Sequence, residues 1–490
     1  MTMIDVKNLS FRYGADYIFE NISFQLDSGW KLGLVGRNGR GKTTFLNLLQ
    51  GKYEYQGTIT TKERFLYFPY NIEDRELMTI NIIEDIYPDY EYWRLQKECN
   101  LLSLDEEVLY RSFNSLSGGE QTKVLLATLF MQEDAYVLID EPTNHLDVES
   151  RELVSEYLQK KKNFILVCHD RSFMDGCVDH IMAINKNSID IQSGNFSSWY
   201  ENKQRKDNQE IVANQRLQKE IVSLNEATKR SKQWSDKVEK TKNGTRVAGL
   251  RPDKGHIGHM AAKMMQKAKN TERRREKSIQ EKKELLKDIE EVEDLKIPAL
   301  QYKKNQYLYF QNVSLFYPNK TICTDVSFTI SKGERIALTG QNGSGKSTIL
   351  KLITGESISY SGEVKIPEDL IISYVPQNID TLSGDVSEHI NKAKVDESLC
   401  KTILRKMDFS RQLFSVPMER YSSGQKKKVL IACALSKPAH LYVFDEPLNY
   451  IDIFSRIQIE NVLKGSEATI IFVEHDKTFV NSIMTKSIAL

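Results

Sequence analysis

The chain has 490 residues, room for about three folding units, and its 40% hydrophobic and 28% charged residues suit a globular protein that buries large cores without disulfides or metals. No uninterrupted apolar run approaches the roughly 18 to 20 residues of a membrane span. Residues 1–14 lack a basic segment followed by an apolar stretch, and the six cysteines are scattered with no CxxC, so the expectation is a cytoplasmic protein with reduced thiols, off the membrane, and without zinc ribbons or iron–sulfur clusters.

Net charge is +1, but residues 201–300 hold 25 Lys and Arg against 17 Asp and Glu, leaving 43 against 50 elsewhere, so the positive charge is concentrated in the middle. In chain order, apolar runs at 31–35, 136–139 and 164–167 alternate with helical stretches and return at 441–444 and 469–473. Runs apolar throughout predict strands buried on both faces of a parallel sheet, hence an α/β fold.

The chain repeats itself. Gly-Arg-Asn-Gly-Arg-Gly-Lys-Thr at 36–43 returns as Gly-Gln-Asn-Gly-Ser-Gly-Lys-Ser at 340–347, and Tyr13/Tyr317, Ser117/Ser422, Asp140/Asp445 and His169/His475 keep nearly the same offset. One domain is expected over 1–200 and a second over 304–490, the second without a counterpart of roughly 185–200.

Between them, 201–303 reads as a long α-helical hairpin linker. Ile211, Leu217, Ile221 and Leu224, and later Ile279, Leu286, Ile289 and Val292, give each arm an apolar seam. Gly244, Gly249, Pro252, Gly255 and Gly258 break helix at the tip. Arms of about 45 residues reach roughly 65 Å at 1.5 Å per residue.

The chemistry lies in the repeated units. In GxxxxGK[ST] after an apolar strand, glycines let backbone N–H groups face phosphates, a lysine reaches the β and γ phosphates, and the hydroxyl ligates Mg²⁺. The candidates are Gly36, Asn38, Gly39, Gly41, Lys42, Thr43 and Thr44 in the first copy, and Gly340, Asn342, Gly343, Gly345, Lys346, Ser347 and Thr348 in the second. Asp140-Glu141 and Asp445-Glu446 stand at apolar strand ends, which suits the aspartates to hold Mg²⁺ through water and the glutamates to polarise an attacking water.

Leu-Ser-Gly-Gly-Glu at 116–120, with Asp140, Asp147 and His169, makes the unit resemble the nucleotide-binding domain of the ABC ATPase superfamily, and both copies share the likeness. The resemblance implies two ABC-type domains paired head to tail within one monomer. Each ATP, with Mg²⁺, would lie between one phosphate loop and the signature of the other domain. It further implies that Ser117, Gly118, Gly119, Ser422 and Gly424 touch the γ-phosphate and Tyr13 and Tyr317 stack on adenine. Gln377 would sense Mg²⁺ and phosphate, and His169 and His475 would act as switch histidines beside Glu141 and Glu446.

The two copies depart from the pattern unequally. Where the second reads Tyr-Val-Pro-Gln at 374–377, the first reads Tyr-Phe-Pro-Tyr at 67–70; where the first reads LSGGE, the second reads Tyr-Ser-Ser-Gly-Gln at 421–425. With cross-pairing both departures fall in site one, made of the first phosphate loop, Tyr70, Glu141, His169 and the Ser422 signature. Site two joins the second loop, Gln377, Glu446 and His475 to the Ser117 signature. Unequal hydrolysis is the expectation.

Paired ABC domains around a charged helical linker, without a membrane span, are similar to the ABC-F family. Its members enter the vacant exit-tRNA site of the ribosome with ATP bound and push the linker toward the peptidyl-transferase centre. Residues 229–277 hold 16 basic against 5 acidic residues, enough to meet many rRNA phosphates. The absence of an insertion between Tyr70 and Ser117, and the segment 255–270, are most similar to the Lsa type of the antibiotic-resistance branch, which implies protection against lincosamides, pleuromutilins and streptogramin A. The implied partners are large-subunit rRNA and peptidyl-tRNA, with no DNA. Alternatives are a housekeeping ABC-F translation factor acting on stalled ribosomes and the ATPase motor of a separate transporter.

Overall fold

The computed structural model describes the chain apart from residues 1–2, 15, 133–134, 145, 186–187, 318–319, 342, 380–381 and most of 242–296, where only 266, 270, 271, 273, 274 and 277 are described. Asn342, the linker tip and the second seam therefore lie outside the described residues. The chain divides into two units, 1–199 with 294–490, and 200–293.

The first half of the larger unit opens with strands β1 (Met3–Tyr13) and β2 (Asp16–Asp27), followed by β3 (Lys31–Val35) and helix α1 (Lys42–Leu49). After β4 (Gln56–Thr60) and β5 (Arg64–Phe68) come α2 (Thr79–Ile86), α3 (Tyr92–Leu101) and α4 (Gly118–Phe130). Then β6 (Ala135–Asp140), α5 (Val148–Gln159), β7 (Phe164–Val167), α6 (Arg171–Cys177), β8 (His180–Ile184) and β9 (Ile189–Ser193) complete it. A six-stranded sheet runs in the order β5-β6-β7-β3-β8-β9, parallel except for the antiparallel β8–β9 pair. A separate antiparallel sheet, β2-β1-β4, lies in the same half.

Helix α7 (Phe196–Thr241) follows. It starts at Phe196, five residues before the linker expected from 201, because Phe196 and Trp199 are buried apolar anchors. In the smaller unit Ile211, Leu217 and Leu224 are half-buried and Ile221 buried, while their neighbours are mostly exposed, as a single apolar seam requires.

The second half repeats the plan. Its strands β10 (Gln306–Tyr317), β11 (Lys320–Ser331), β12 (Arg335–Thr339), β13 (Ser359–Lys365), β14 (Ile372–Val375), β15 (Leu441–Asp445), β16 (Thr469–Val473) and β17 (Lys486–Ala489) form a β11-β10-β13 sheet and a parallel β14-β15-β16-β12-β17 sheet. Helices α8 (Lys346–Ile353), α9 (Val386–Lys392), α10 (Glu397–Lys406), α11 (Ser423–Ser436), α12 (Ile453–Lys464) and α13 (Lys477–Ile483) surround them.

The central strands are buried along nearly their whole length: Leu32, Leu34, Ile165, Leu166, Ile470 and Ile471 have no exposed surface. That is why they read as continuous apolar runs, and it fixes the sheet ends where the polar chemistry begins. No described helix is long and apolar enough to cross a membrane.

Candidate active sites

Each phosphate loop turns into a helix through a left-handed glycine. Gly41 (φ 90°) precedes α1 and Gly345 (φ 97°) precedes α8. A Cβ on Gly41 would lie 2.4 Å from Ile18 Cγ2, and one on Gly345 2.7 Å from Ile322 Cγ2, so both the turn and the close packing require glycine. The loops thus present a helix N-terminus, which suits an anion. Lys42 Nζ donates to Gly36 O at 2.8 Å and Lys346 Nζ to Gly340 O and Gln341 O at 2.8 and 2.7 Å, so both ammonium groups face back into their loops.

At the strand ends Thr43 Oγ1 donates to Asp140 Oδ2 at 2.7 Å and Ser347 Oγ to Asp445 Oδ1 at 3.0 Å. Hydroxyl and carboxylate oxygens converging on one point are a hard donor set and fit Mg²⁺. Burial raises the carboxyl of Asp140, opposed by hydrogen bonds from Thr43 and Tyr67. Asp445 is pushed up to about 6 by burial, opposed by Ser347.

The following residues, Glu141 and Glu446, have positive φ, 53° and 46°. Neither is glycine, asparagine or aspartate, so each stores backbone strain at the point where sheet gives way to loop, a feature that marks functional positions. His169 and His475 are nine-tenths buried or more, with Nε2 3.2 Å from Glu141 Oε1 and 3.6 Å from Glu446 Oε1.

The signature serines are helix caps. Ser117 Oγ accepts from Glu120 N while the Glu120 carboxylate takes Ser117 N–H, and Ser422 with Gln425 makes the same reciprocal box at the start of α11. LSGGE and YSSGQ are thus read locally as helix starts, with the glycines opening the first turn.

The halves meet head to tail. Asn38 Nδ2 of the first loop donates to Tyr450 O at 3.0 Å, Arg40 pairs with Asp408 at 3.3 Å, and a Cβ on Gly424 would lie 2.8 Å from Asn38 Nδ2. The first loop therefore abuts the second signature. At the other site a cavity of about 560 Å³ is lined by Gly118 of the first signature and by Gly343, Gly345, Lys346, Ser347, Thr348, Gln377, Glu446, Asn449 and His475. Further pairs tie the halves between the sites, Arg171 to Glu460 and Lys477 to Glu152.

The electrostatics of the two sites diverge. Burial would raise Glu446, but His475, then Gln377 and Asn449, outweigh it and hold the carboxyl down at about 2; Asn449 Nδ2 donates to Oε2 at 2.6 Å. Glu141 is pushed up to about 8 by desolvation and then by Asp140, against Arg456 of the second half and Lys42. Although His169 is 3.2 Å away, Oε1 of Glu141 has no aligned hydrogen bond. Burial, with Lys42 and Arg456 nearby, keeps the His169 ring well below its usual range and so neutral.

Of the residues singled out from sequence, Tyr13 and Tyr317 end β1 and β10 and are 50% and 45% exposed, and Tyr70 is 43% exposed; its counterpart Gln377 is exposed too, but lines the cavity of the second site. Gly36, Gly39, Thr44, Gly119 and Gly340 lie in the loops and first turns just described. Sequence reasoning missed Asn449 and Asn38's contact with Tyr450. The recurrence of Asn three residues after Glu141 and after Glu446 was the available signal for the former.

Two phosphate loops facing two opposed signature helices, with paired strand-end carboxylates, define a tandem ABC-type ATPase. The chain belongs to the ABC transporter family, whose model matches residues 19–144 and 323–449, one segment in each half, and it is an ATP-binding ATPase. It is 24% identical over 493 residues to the ribosome protection protein VmlR of Bacillus subtilis, spanning 100% of this chain and 86% of that protein. It is 26% identical over 546 residues to ABC transporter F family member 2 of Arabidopsis thaliana, spanning 99% and 76%. The fold resembles a chain in the complex of archaeal ribosomal stalk protein aP1 and the ribosome recycling factor aABCE1, with TM-score 0.64 at 19% identity over 98% of this chain and 87% of that one.

Proposed function

We propose that the protein is a cytoplasmic ABC-F ATPase that binds the ribosome and protects the peptidyl-transferase centre from antibiotics of the lincosamide, pleuromutilin and streptogramin A classes. The observation that carries the reading is end-to-end similarity to a ribosome protection protein in a chain whose two ATPase halves flank a 46-residue helix leading into a basic segment. The ligands of that segment would be large-subunit rRNA and peptidyl-tRNA.

In this reading Lys42 and Lys346 swing from their loop carbonyls onto phosphate oxygens, and Ser117 and Ser422, with the N–H groups of Gly118, Gly119 and Gly424, close on the γ-phosphate from the opposite half. Thr43 with Asp140, and Ser347 with Asp445 and Gln377, would hold Mg²⁺, which neutralises phosphate charge when bound with ATP. Glu446, ionised and held by Asn449, Gln377 and His475, orients and polarises the attacking water. Glu141 does so poorly because its carboxyl keeps a proton at neutral pH. The second site then carries most of the turnover.

The test is co-sedimentation. Full-length protein carrying Glu141→Gln and Glu446→Gln should bind ATP without hydrolysing it and co-sediment with ribosomes more than wild type does. No enrichment with ATP rejects the ribosome-binding reading. Failure of the wild-type protein to protect translation in vitro from any peptidyl-transferase drug rejects the protection function and leaves a translation factor.

A further inference from the structure

Lys427 lies in the first turns of α11, inside the second half, and its side chain has no exposed surface. An ammonium taken out of water is costly unless each N–H finds an acceptor. Here three carbonyl oxygens surround it: Pro376 O at 2.8 Å, Gln377 O at 3.4 Å and Asp445 O at 3.4 Å. These carbonyls belong to two separate segments, the loop that carries Gln377 and the end of β15 that carries Asp445 and leads into Glu446. The Gln377 side chain lines the same cavity as Glu446 and helps hold its carboxyl down.

The matching residue of the first half is Thr122. Its hydroxyl donates to Gly118 O at 2.9 Å inside its own helix, so it ties no other segment at that position. We infer that Lys427 is a positioning residue of the second site, holding the Gln377 loop and the Asp445–Glu446 strand end at fixed separation by donating to the backbone of both. The inference rests on the reading that the second site carries turnover. It adds a third difference between the sites, on the same side as Tyr70 and Ser423: in the second site a buried lysine ties the backbones of the two segments, where the first has only the Tyr67 hydroxyl on the Asp140 side chain at 3.2 Å.

Three full-length variants test it. Lys427→Met keeps the length of the side chain and removes the donors, Lys427→Gln keeps one donor able to serve Pro376 O, and Lys427→Thr copies the first half. ATPase rates are measured against ATP and against Mg²⁺, with thermal unfolding alongside. Because a misplacement of about 1 Å can cost on the order of 10²-fold in rate, Lys427→Met should lower kcat by about tenfold or more. The KM for ATP should stay within about threefold, since the phosphate loop is not moved. The Mg²⁺ concentration giving half the maximal rate should rise, and Lys427→Gln should recover part of the loss. A Met variant with wild-type kcat, or kcat falling in step with thermal stability and unrelieved by Gln, overturns the inference. If the Met variant does not fold, Lys427→Thr decides by the same criterion: a loss of kcat at unchanged KM supports it, wild-type kcat overturns it. Glu446→Gln run in parallel separates the two claims. Lost turnover there with unchanged turnover in Lys427→Met rejects the role of Lys427 alone, whereas retained turnover in Glu446→Gln rejects the underlying reading of the second site.

Discussion

The two sites are built from the same residue types at matched positions, yet their glutamates end in opposite states. Glu446 accepts from Asn449 Nδ2 at 2.6 Å, has His475 and Gln377 beside it, and is held at about 2. Glu141 has Tyr70 where the second half has Gln377, leaves Oε1 without an aligned partner, and is pushed up to about 8. A carboxylate at the end of a buried strand is therefore not a base by identity. Burial alone makes it an acid, and the groups around it, at Glu446 first His475 and then the amides of Gln377 and Asn449, decide whether the charge survives.

The largest expected difference between the sites lies at the two phosphate-loop lysines. Lys346→Ala should reduce steady-state ATP hydrolysis by about 10²-fold or more, as expected for losing one phosphate-directed donor at the working site, while Lys42→Ala costs less than about tenfold; equal losses in the ATPase assay would make the sites equivalent. Next, Gly424→Ala places a methyl group 2.5 Å from Tyr450 O and 2.8 Å from Asn38 Nδ2. It should weaken retention of nucleotide at site one by about tenfold, the order of 1–3 kcal/mol that overpacking costs, read as radiolabelled nucleotide trapped in a Glu141→Gln background.

The pH dependence sharpens the contrast further. Glu141, raised to about 8, is protonated below that value and ionised above it, so the residual turnover of Glu446→Gln should climb between pH 7 and 9. Glu446, held at about 2, stays ionised throughout, so Glu141→Gln should show no such rise over the same range in stopped-assay rates. The smallest effect is repair: Tyr70→Gln with Ser423→Gly, in the Glu446→Gln background, should raise turnover by about fivefold, which is one hydrogen bond of ~1 kcal/mol.

Much of this was legible in the sequence because the motifs encode backbone geometry. Gly41 and Gly345 are needed at positive φ whatever surrounds them, and central parallel strands such as Phe164–Val167 must be apolar on both faces. The opposed halves were reached through family resemblance, since nothing local in 36–43 says that Tyr450 will meet Asn38. Least legible was the run Lys426-Lys427-Lys428, which reads as a solvated helix face. Lys427 and Lys428 are buried instead, because their acceptors arrive from distant segments: Pro376 O for one, and Met407 O at 2.6 Å and Asp452 at 2.9 Å for the other. Helix α7 begins at Phe196, ahead of the linker expected from 201, because its first turn carries the buried aromatic anchors Phe196 and Trp199.

The steady-state ATPase rates of two single variants, measured side by side, decide whether the second site carries turnover. Glu446→Gln should lose about 10²-fold or more, within the 10² to 10⁴ range expected for a general base, while Glu141→Gln loses less than about threefold. Equal losses, or a larger loss from Glu141→Gln, would contradict the claim that the second site carries turnover.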